Sequence, residues 1–421
     1  MNKREFIKTI GLAGAGLPFA SFAQLNHFLN FNMSETHMQG KDFWLEMRKA
    51  YSLKSDYINL ENGYYNILPQ ATLNVQWQQM QALNLEGSHY MRTRMADDKQ
   101  NTRQALADFL QCPLDEIIIT RNTTESLDTV ICGYDWKPGD EAIMAEQEYG
   151  SMLDMFKQQA RRYGMLNQYL NLPLNPGSDE EIVELYQKAI TPKTRIILVS
   201  HMVNITGQIL PIRKICDMAH AHGVKVLVDG AHAIAHLDFK ISDLNCDYYG
   251  ASLHKWLAVP LGAGLLYVKK ENIKELWPLF GEAGYSDTDI RKLNHTGTYP
   301  IHSELSIPAA IQFHQAIGSK RKEERLRFLQ RYWSDQVRGY KNIILNTPAA
   351  IERSCGIANV GVLGYQPAEL AKYLMETWKI WTVAIDNAGV HGCRITPNVF
   401  TSTDELDVLV KALKAAAEAK G

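Results

Sequence analysis

Between about residue 115 and residue 270 the sequence alternates short apolar runs with longer segments of helical spacing. Glu116–Thr120, Asp140–Ala145, Thr194–Ser200, Val224–Val228, Tyr248–Ala251 and Gly262–Val268 have the length and apolar content of buried strands. Helix-like stretches separate them. They include the segment with Leu127, Val130 and Ile131, then Glu180–Ile190 ahead of Pro192, and Pro211–His222 ahead of Gly223. Strands apolar on both faces and joined through helices fit an α/β fold, a mainly parallel sheet sandwiched by helices. In such sheets ligands gather at the carboxyl ends of the strands. The residues that directly follow each apolar run are therefore the candidate functional ones.

Two strand ends carry the strongest signal. Val224–Val228 runs into Asp229-Gly230-Ala231-His232, and Tyr248–Ala251 runs into Ser252-Leu253-His254-Lys255. An Asp and a Lys delivered to one place could form a structural ion pair. They also suit a pyridoxal 5′-phosphate (PLP) site. There a Lys amine forms an imine with the cofactor, and an Asp carboxylate pairs with the protonated pyridine nitrogen.

Asp-Gly-Ala-His, followed 26 positions after its Asp by the Lys of Ser-x-His-Lys, resembles the class V aminotransferase family. That family includes cysteine desulfurases, selenocysteine lyases, kynureninases and isopenicillin N epimerase-like enzymes. The resemblance implies the fold type I of PLP-dependent transferases, with a large sheet domain and a smaller α/β carboxyl-terminal domain. It implies Lys255 as the catalytic residue that carries the cofactor, Asp229 at the ring nitrogen, and His232 beside the phenolic oxygen. Ser252 and His254 would join the phosphate shell; otherwise they are loop hydrogen-bonders.

Further residues follow by position. Arg121-Asn122-Thr123-Thr124-Glu125-Ser126 reads on its own as a helix N-cap box. A helix N-terminus also offers free N–H groups and a positive dipole end, and the resemblance assigns Thr123 and Thr124 to the cofactor phosphate. Tyr149 stands where desulfurases carry a His pair, and its flat face suits the pyridine ring; the alternative is a packed core Tyr. Asn204 matches the residue that bonds the ring oxygen and lies near the substrate carboxylate, although it reads equally as a turn former. Thr298, in Asn294-His-Thr-Gly-Thr298, matches a loop that reaches the phosphate of the neighbouring subunit. That implies a homodimer with shared active sites. Arg394 matches the residue that clamps the substrate α-carboxylate with two parallel hydrogen bonds.

Outside this core, residues 1–23 read as an export signal. Met1–Lys8 is basic, Thr9–Phe22 is small and apolar, and small residues precede Gln24. Lys3-Arg4 resembles a twin-arginine signal with Lys in the first position, which implies a periplasmic protein. The apolar stretch is short for a membrane span. The remainder divides into an arm over 24–60 packed on the small domain, a PLP-binding large domain over 61–300, and a small domain over 301–421. Gly87–Arg94 reads as a solvated loop, with Arg92 or Arg94 available to an acidic group. A net charge of −2 gives no electrostatic case for nucleic acid or an anionic membrane. The six cysteines form no C-x-x-C pair and read as buried thiols, and no metal site is expected.

This residue set points to amine chemistry on an amino acid or an amino-acid-derived substrate, with Lys255 as general base at the α-carbon. Transamination, epimerisation and elimination all remain open. A cysteine desulfurase or selenocysteine lyase needs a Cys on a loop upstream of the carboxylate Arg. Lys379–Val390 contains none, and Cys393 should face the opposite side of its strand from Arg394. Glu148-Tyr149-Gly150 in place of a His pair, with no loop Cys, puts the chain nearest the isopenicillin N epimerase-like branch. The alternative from another class is a non-catalytic exported binding protein. A nicotinamide enzyme lacks its fingerprint, because no G-x-G-x-x-G follows a strand.

Overall fold

The computed structural model describes residues 41–419. The export signal read over 1–23 and residues 24–40 of the arm read over 24–60 lie outside the described residues. The chain enters through helix α1 (Lys41–Arg48), strand β1 (Ile58–Asn59) and helices α2 (Gln70–Glu86), α3 (Ser88–Thr93) and α4 (Met95–Leu110). The stretch read as a loop, 87–94, is therefore helical over Ser88–Thr93. Tyr90 supplies the reason: it is buried against Ile301 and Leu305, and its hydroxyl donates to Asp98 at 2.7 Å. One apolar anchor winds a turn that is polar everywhere else. Arg94 pairs with Glu86 on the neighbouring helix.

The large sheet has seven strands: β2 (Ile117–Thr120), β3 (Glu141–Ala145), β4 (Leu166–Leu170), β5 (Thr194–Ser200), β6 (Lys225–Asp229), β7 (Tyr248–Ser252) and β8 (Gly264–Val268). Their order across the sheet is β2-β8-β7-β6-β5-β3-β4. Only β8 opposes its neighbours; the run from β7 to β4 is parallel. The six apolar runs are all strands. The seventh strand, β4, escaped the apolar pattern because it lies at the edge and stays partly exposed. Helices α5 (Thr123–Gly133), α6 (Gly150–Tyr163), α7 (Asp179–Ala189), α8 (Ile212–Ala221) and the short α9 (Ile241–Leu244) complete the layers. Alternate strand residues sort to opposite faces. Ile197, Val199, Val226 and Val228 pack with α7 and α8, while Ile196, Leu198 and Leu227 pack with α5 and α6. Both faces are thus sealed, and the strand ends are left to present polar groups.

Helices α10 (Ile301–Glu304), α11 (Ile307–Ile317) and α12 (Ser319–Val337) lead to an antiparallel sheet. It comprises β9 (Ile343–Leu345), β10 (Ala358–Val362), β12 (Val383–Asn387) and β13 (Val390–Ile395), in the order β12-β13-β10-β9. Helix α13 (Pro367–Trp378), strand β11 (Ile380–Trp381) and the final helix α14 (Thr403–Ala419) accompany it. Its core joins Trp333, Val360, Leu374, Cys393, Ile395 and Leu409. Ile307, Ala310 and Ile311 of α11 pack into the core of the large sheet instead. Strand β1 pairs in parallel with β11, and Leu60 enters the small-sheet core. The amide of Asn62 then bonds Thr396 Oγ1 at 2.6 Å. This docking carries residues 61–65 to the end of β13. Among the described residues no helix is long and apolar enough to cross a membrane.

Candidate active site

Asp229 closes β6, in register with Ser200 of β5 and Gly250 of β7. The chain can turn away only because residue 230 is glycine: a Cβ there would lie 2.0 Å from Cε1 of the buried Tyr249 ring. The Ala231 N–H donates to Asp229 Oδ1 at 2.9 Å. That is the only side-chain hydrogen bond of Asp229 among the described residues, so Oδ2 stays available to a donor from the cleft. Burial raises the Asp229 pKa, while Lys255 and the Ala231 N–H pull it the other way.

Lys255 follows β7 and meets His232, which follows β6; Nζ and Nε2 are 3.2 Å apart. The imidazole tautomer can be assigned. Trp256 Nε1 lies 3.3 Å from His232 Nδ1, and an indole nitrogen only donates. Burial, then the Lys255 and Arg394 charges, hold His232 well below its usual pKa, so the ring is neutral. Its single proton must sit on Nε2, aimed at Lys255. The Lys255 amine matches that partner. Burial first, with Arg394 adding and Asp229 and Glu61 opposing, pushes it down to about 8. A neutral amine at Nζ can accept the His232 proton. Further support comes from behind. Lys322 of α12 donates to the Trp256 carbonyl at 2.5 Å, His236 stacks on the Trp256 ring at 3.8 Å between centroids, and His236 Nδ1 bonds the His232 carbonyl at 2.9 Å.

At the N-terminus of α5, Thr123 and Ser252 come together. The Thr123 N–H donates to Ser252 Oγ at 2.8 Å, and the two hydroxyls are 2.6 Å apart. Asn122 caps the helix by accepting from the Glu125 N–H at 2.9 Å. Thr124 lies half-buried on the same turn. His254 stands beside Lys255 with its buried Nδ1 unpartnered. A helix N-terminus, two hydroxyls and an orphan imidazole nitrogen form a donor set suited to a phosphate. Together with the open oxygen of Asp229 and the amine of Lys255, these residues fit PLP.

On the opposite wall, β13 turns Cys393 into the small-sheet core and Arg394 toward the cleft. The guanidinium takes a buried two-bond pair with Glu61 and donates from Nη1 to the Asn204 carbonyl at 3.2 Å. Asn204 thus reaches the site by its backbone, on a turn closed by Gly207 at φ +76°.

The structure therefore gathers Asp229, His232, Lys255, Asn204 and Arg394 at one place, with Thr123, Ser252 and His254 alongside. Tyr149 stands at the N-cap of α6 and is 40% exposed. Thr298 lies exposed on a loop of the chain surface. Sequence reasoning missed four contributors. Glu61 meets Arg394 across 333 positions, a pairing no local pattern encodes. Glu148 is buried with both oxygens on Ser200, and burial, with Asp229 nearby, raises its carboxyl to about 8. Trp256 and Lys322 act behind the lysine. The Trp directly after Lys255 was the one available sign.

Comparison with known proteins identifies the family. Residues 69–400 match the family model for aminotransferase class-V. An isopenicillin N epimerase of Amycolatopsis lactamdurans is 28% identical over 392 residues, spanning 88% of this chain and 98% of its own. A probable cysteine desulfurase of Halalkalibacterium halodurans is 29% identical over 301 residues, 68% of this chain and 72% of its own. Among solved structures, the apo cysteine desulfurase of Thermococcus onnurineus NA1 superposes with a TM-score of 0.79 at 21% identity, covering 91% of this chain and 99% of that one. A cystine C–S lyase in complex with its product cysteine persulfide superposes at 0.78, with 24% identity, 86% of this chain and 97% of that one. With a family match that spans most of its length, and with these strand-end residues in place, the chain belongs to the class-V aminotransferase family.

Proposed function

We propose that the protein is a PLP-dependent enzyme acting at the α-carbon and amine of an amino acid or an amino-acid-derived substrate, as an aminotransferase or an isopenicillin N epimerase-like enzyme. The observation that carries this reading is the Lys255 amine, set 3.2 Å from a neutral His232 and held near pKa 8 beside Asp229. Such an amine is nucleophilic near neutral pH, whereas an ordinary lysine is not. Lys255 would carry the cofactor covalently, Asp229 Oδ2 would accept from its ring nitrogen, and Thr123, Thr124, Ser252 and His254 would hold its phosphate. Tyr149 would cover the ring. When bound, PLP supplies an electron sink at a protonated pyridine ring. Arg394, held on one side by the Asn204 carbonyl, would bind the substrate carboxylate; the Asn204 side chain is proposed to lie beside it. Lys255 would also move the α-proton on Nζ as general base, with the Nε2–H of His232 keeping that nitrogen oriented.

A desulfurase route through a cysteine persulfide is disfavoured by the thiols. Burial pushes Cys355 to about 12 and Cys393 to about 11, and both lie in apolar cores. The dimer and export readings stand as further parts of the proposal. The dimer reading rests on the match of the loop that ends at Thr298, which would then serve the partner's phosphate. The basic and apolar pattern of 1–23 supports periplasmic export.

The test is a panel of amino acids in deuterated water with the PLP-loaded protein, with and without a 2-oxo acid, followed by NMR. Loss of the α-proton signal is the expected result. Amino transfer to the oxo acid would indicate an aminotransferase, and racemisation alone an epimerase. Sulfide from cysteine or cystine would indicate a C–S lyase. No exchange with any amino acid would overturn the proposal and favour a binding protein.

A further inference from the structure

Arg394 is already partnered. Glu61 Oε2 accepts from its Nε at 3.0 Å, and Oε1 accepts from its Nη2 at 2.7 Å. Both side chains are buried, at 6% and 4% exposure. Nη1 donates a third bond, to the Asn204 carbonyl at 3.2 Å. A guanidinium has five N–H groups, so one remains on each terminal nitrogen. That is enough for a single further carboxylate. Glu61 is itself pinned, because Oε1 also accepts from the N–H groups of Gly63 at 3.1 Å and Tyr64 at 2.9 Å. Gly63 lies so near that a Cβ there would sit 3.6 Å from Arg394 Cζ. Past this turn, the Tyr65 ring lies 6.3 Å from the His254 ring. One carboxylate therefore ties the guanidinium, the 61–65 turn and, through Arg394, the 204 loop into one unit.

We propose that Glu61 is a positioning residue that determines specificity: it fixes Arg394 so that only the two remaining N–H groups receive the substrate's carboxylate. The inference rests on the function proposed above for the identity of the substrate. The orientation of Arg394 stands on geometry alone. Glu61→Gln keeps the shape, but one of its two terminal atoms is a donor and opposes a guanidinium N–H. Glu61→Asp keeps the charge on a shorter reach.

PLP-loaded wild type and both variants are titrated with L-alanine and with L-alaninamide while the visible band is followed, and ligand-free crystals of each are compared. In Glu61→Gln, L-alanine should weaken by about tenfold or more, the equivalent of one charge-assisted hydrogen bond. L-Alaninamide, lacking the carboxylate, should hold its affinity, and Glu61→Asp should fall between. The Arg394 guanidinium should be turned from its wild-type position in the Glu61→Gln crystals. Equal weakening of both ligands would make Glu61 a structural support only and overturn the proposal. So would unchanged or tighter L-alanine binding, or an unmoved guanidinium. If neither ligand moves the wild-type band, the functional reading fails instead, and the crystals alone decide the role of Glu61.

Discussion

The Lys255 amine offers a prediction with a definite magnitude. Burial holds its pKa at about 8 against an ordinary value of 10.5. At pH 7 that leaves about 10% of the amine neutral instead of about 0.03%, a gain of about 300-fold in nucleophile. The rate at which apo protein captures added PLP should therefore rise with pH to a midpoint near 8. Two substitutions should move this midpoint in opposite directions. Asp229→Asn removes an anion that favours the ammonium, so the midpoint falls. Arg394→Gln removes a cation and leaves the Glu61 carboxylate uncompensated, so the midpoint rises. The assay is stopped-flow absorbance from pH 6 to 10 at constant ionic strength. Each rate is divided by that of N-acetyl-lysine amide, itself first corrected for the neutral fraction of its own amine at that pH, which removes the titration of PLP and leaves that of Lys255. A midpoint near 10.5 that ignores both substitutions would refute the account of a desolvated amine poised between Asp229 and Arg394.

Gly230→Ala should destabilise the fold by about 1–3 kcal/mol in urea denaturation, since its Cβ would stand 2.0 Å from the fixed Tyr249 ring; a loss below about 0.5 kcal/mol would show that the strand end can yield. Burial holds the Lys322 ammonium down at about 7, with the nearby Cys355 opposing. The unfolded chain keeps that proton up to about 10.4, so it binds more protons between these values and stability rises with pH across the window. Lys322→Met should lower the slope of unfolding free energy between pH 7 and 9 by about 1 kcal/mol per pH unit, and an unchanged slope would count against a Lys322 amine that burial keeps neutral. Cys355→Ala and Cys393→Ala should both keep amino-acid turnover; abolition by either would bring back a thiol mechanism.

Much of this was legible in the sequence because it is local. Six apolar runs announced six strands, and the strand-end rule brought Asp229, His232 and Lys255 to one place before any coordinates. The misses have physical causes. Strand β4 pairs on one edge only and can afford polar residues, so it lacks an apolar signature. Helix α3 is wound by one buried Tyr90 that contacts residues more than 200 positions away. Glu61 looked like a polar residue before a turn; its meaning depends on β1 docking against β11, a pairing of two residues on each side. Arg394 lies on the cleft wall, but its partner Glu61 could not be read. Long-range polar pairs leave no periodicity, and they are where sequence reasoning stops.

The central point is that Lys255 is the residue that takes the cofactor. The purified protein should be yellow, and borohydride reduction followed by peptide mapping should find the cofactor's mass on the peptide containing Lys255, with Lys255→Ala colourless under the same treatment. A wild type that stays colourless when PLP is added would contradict the account. So would reduced cofactor on another lysine, with buried Lys322 the most informative alternative.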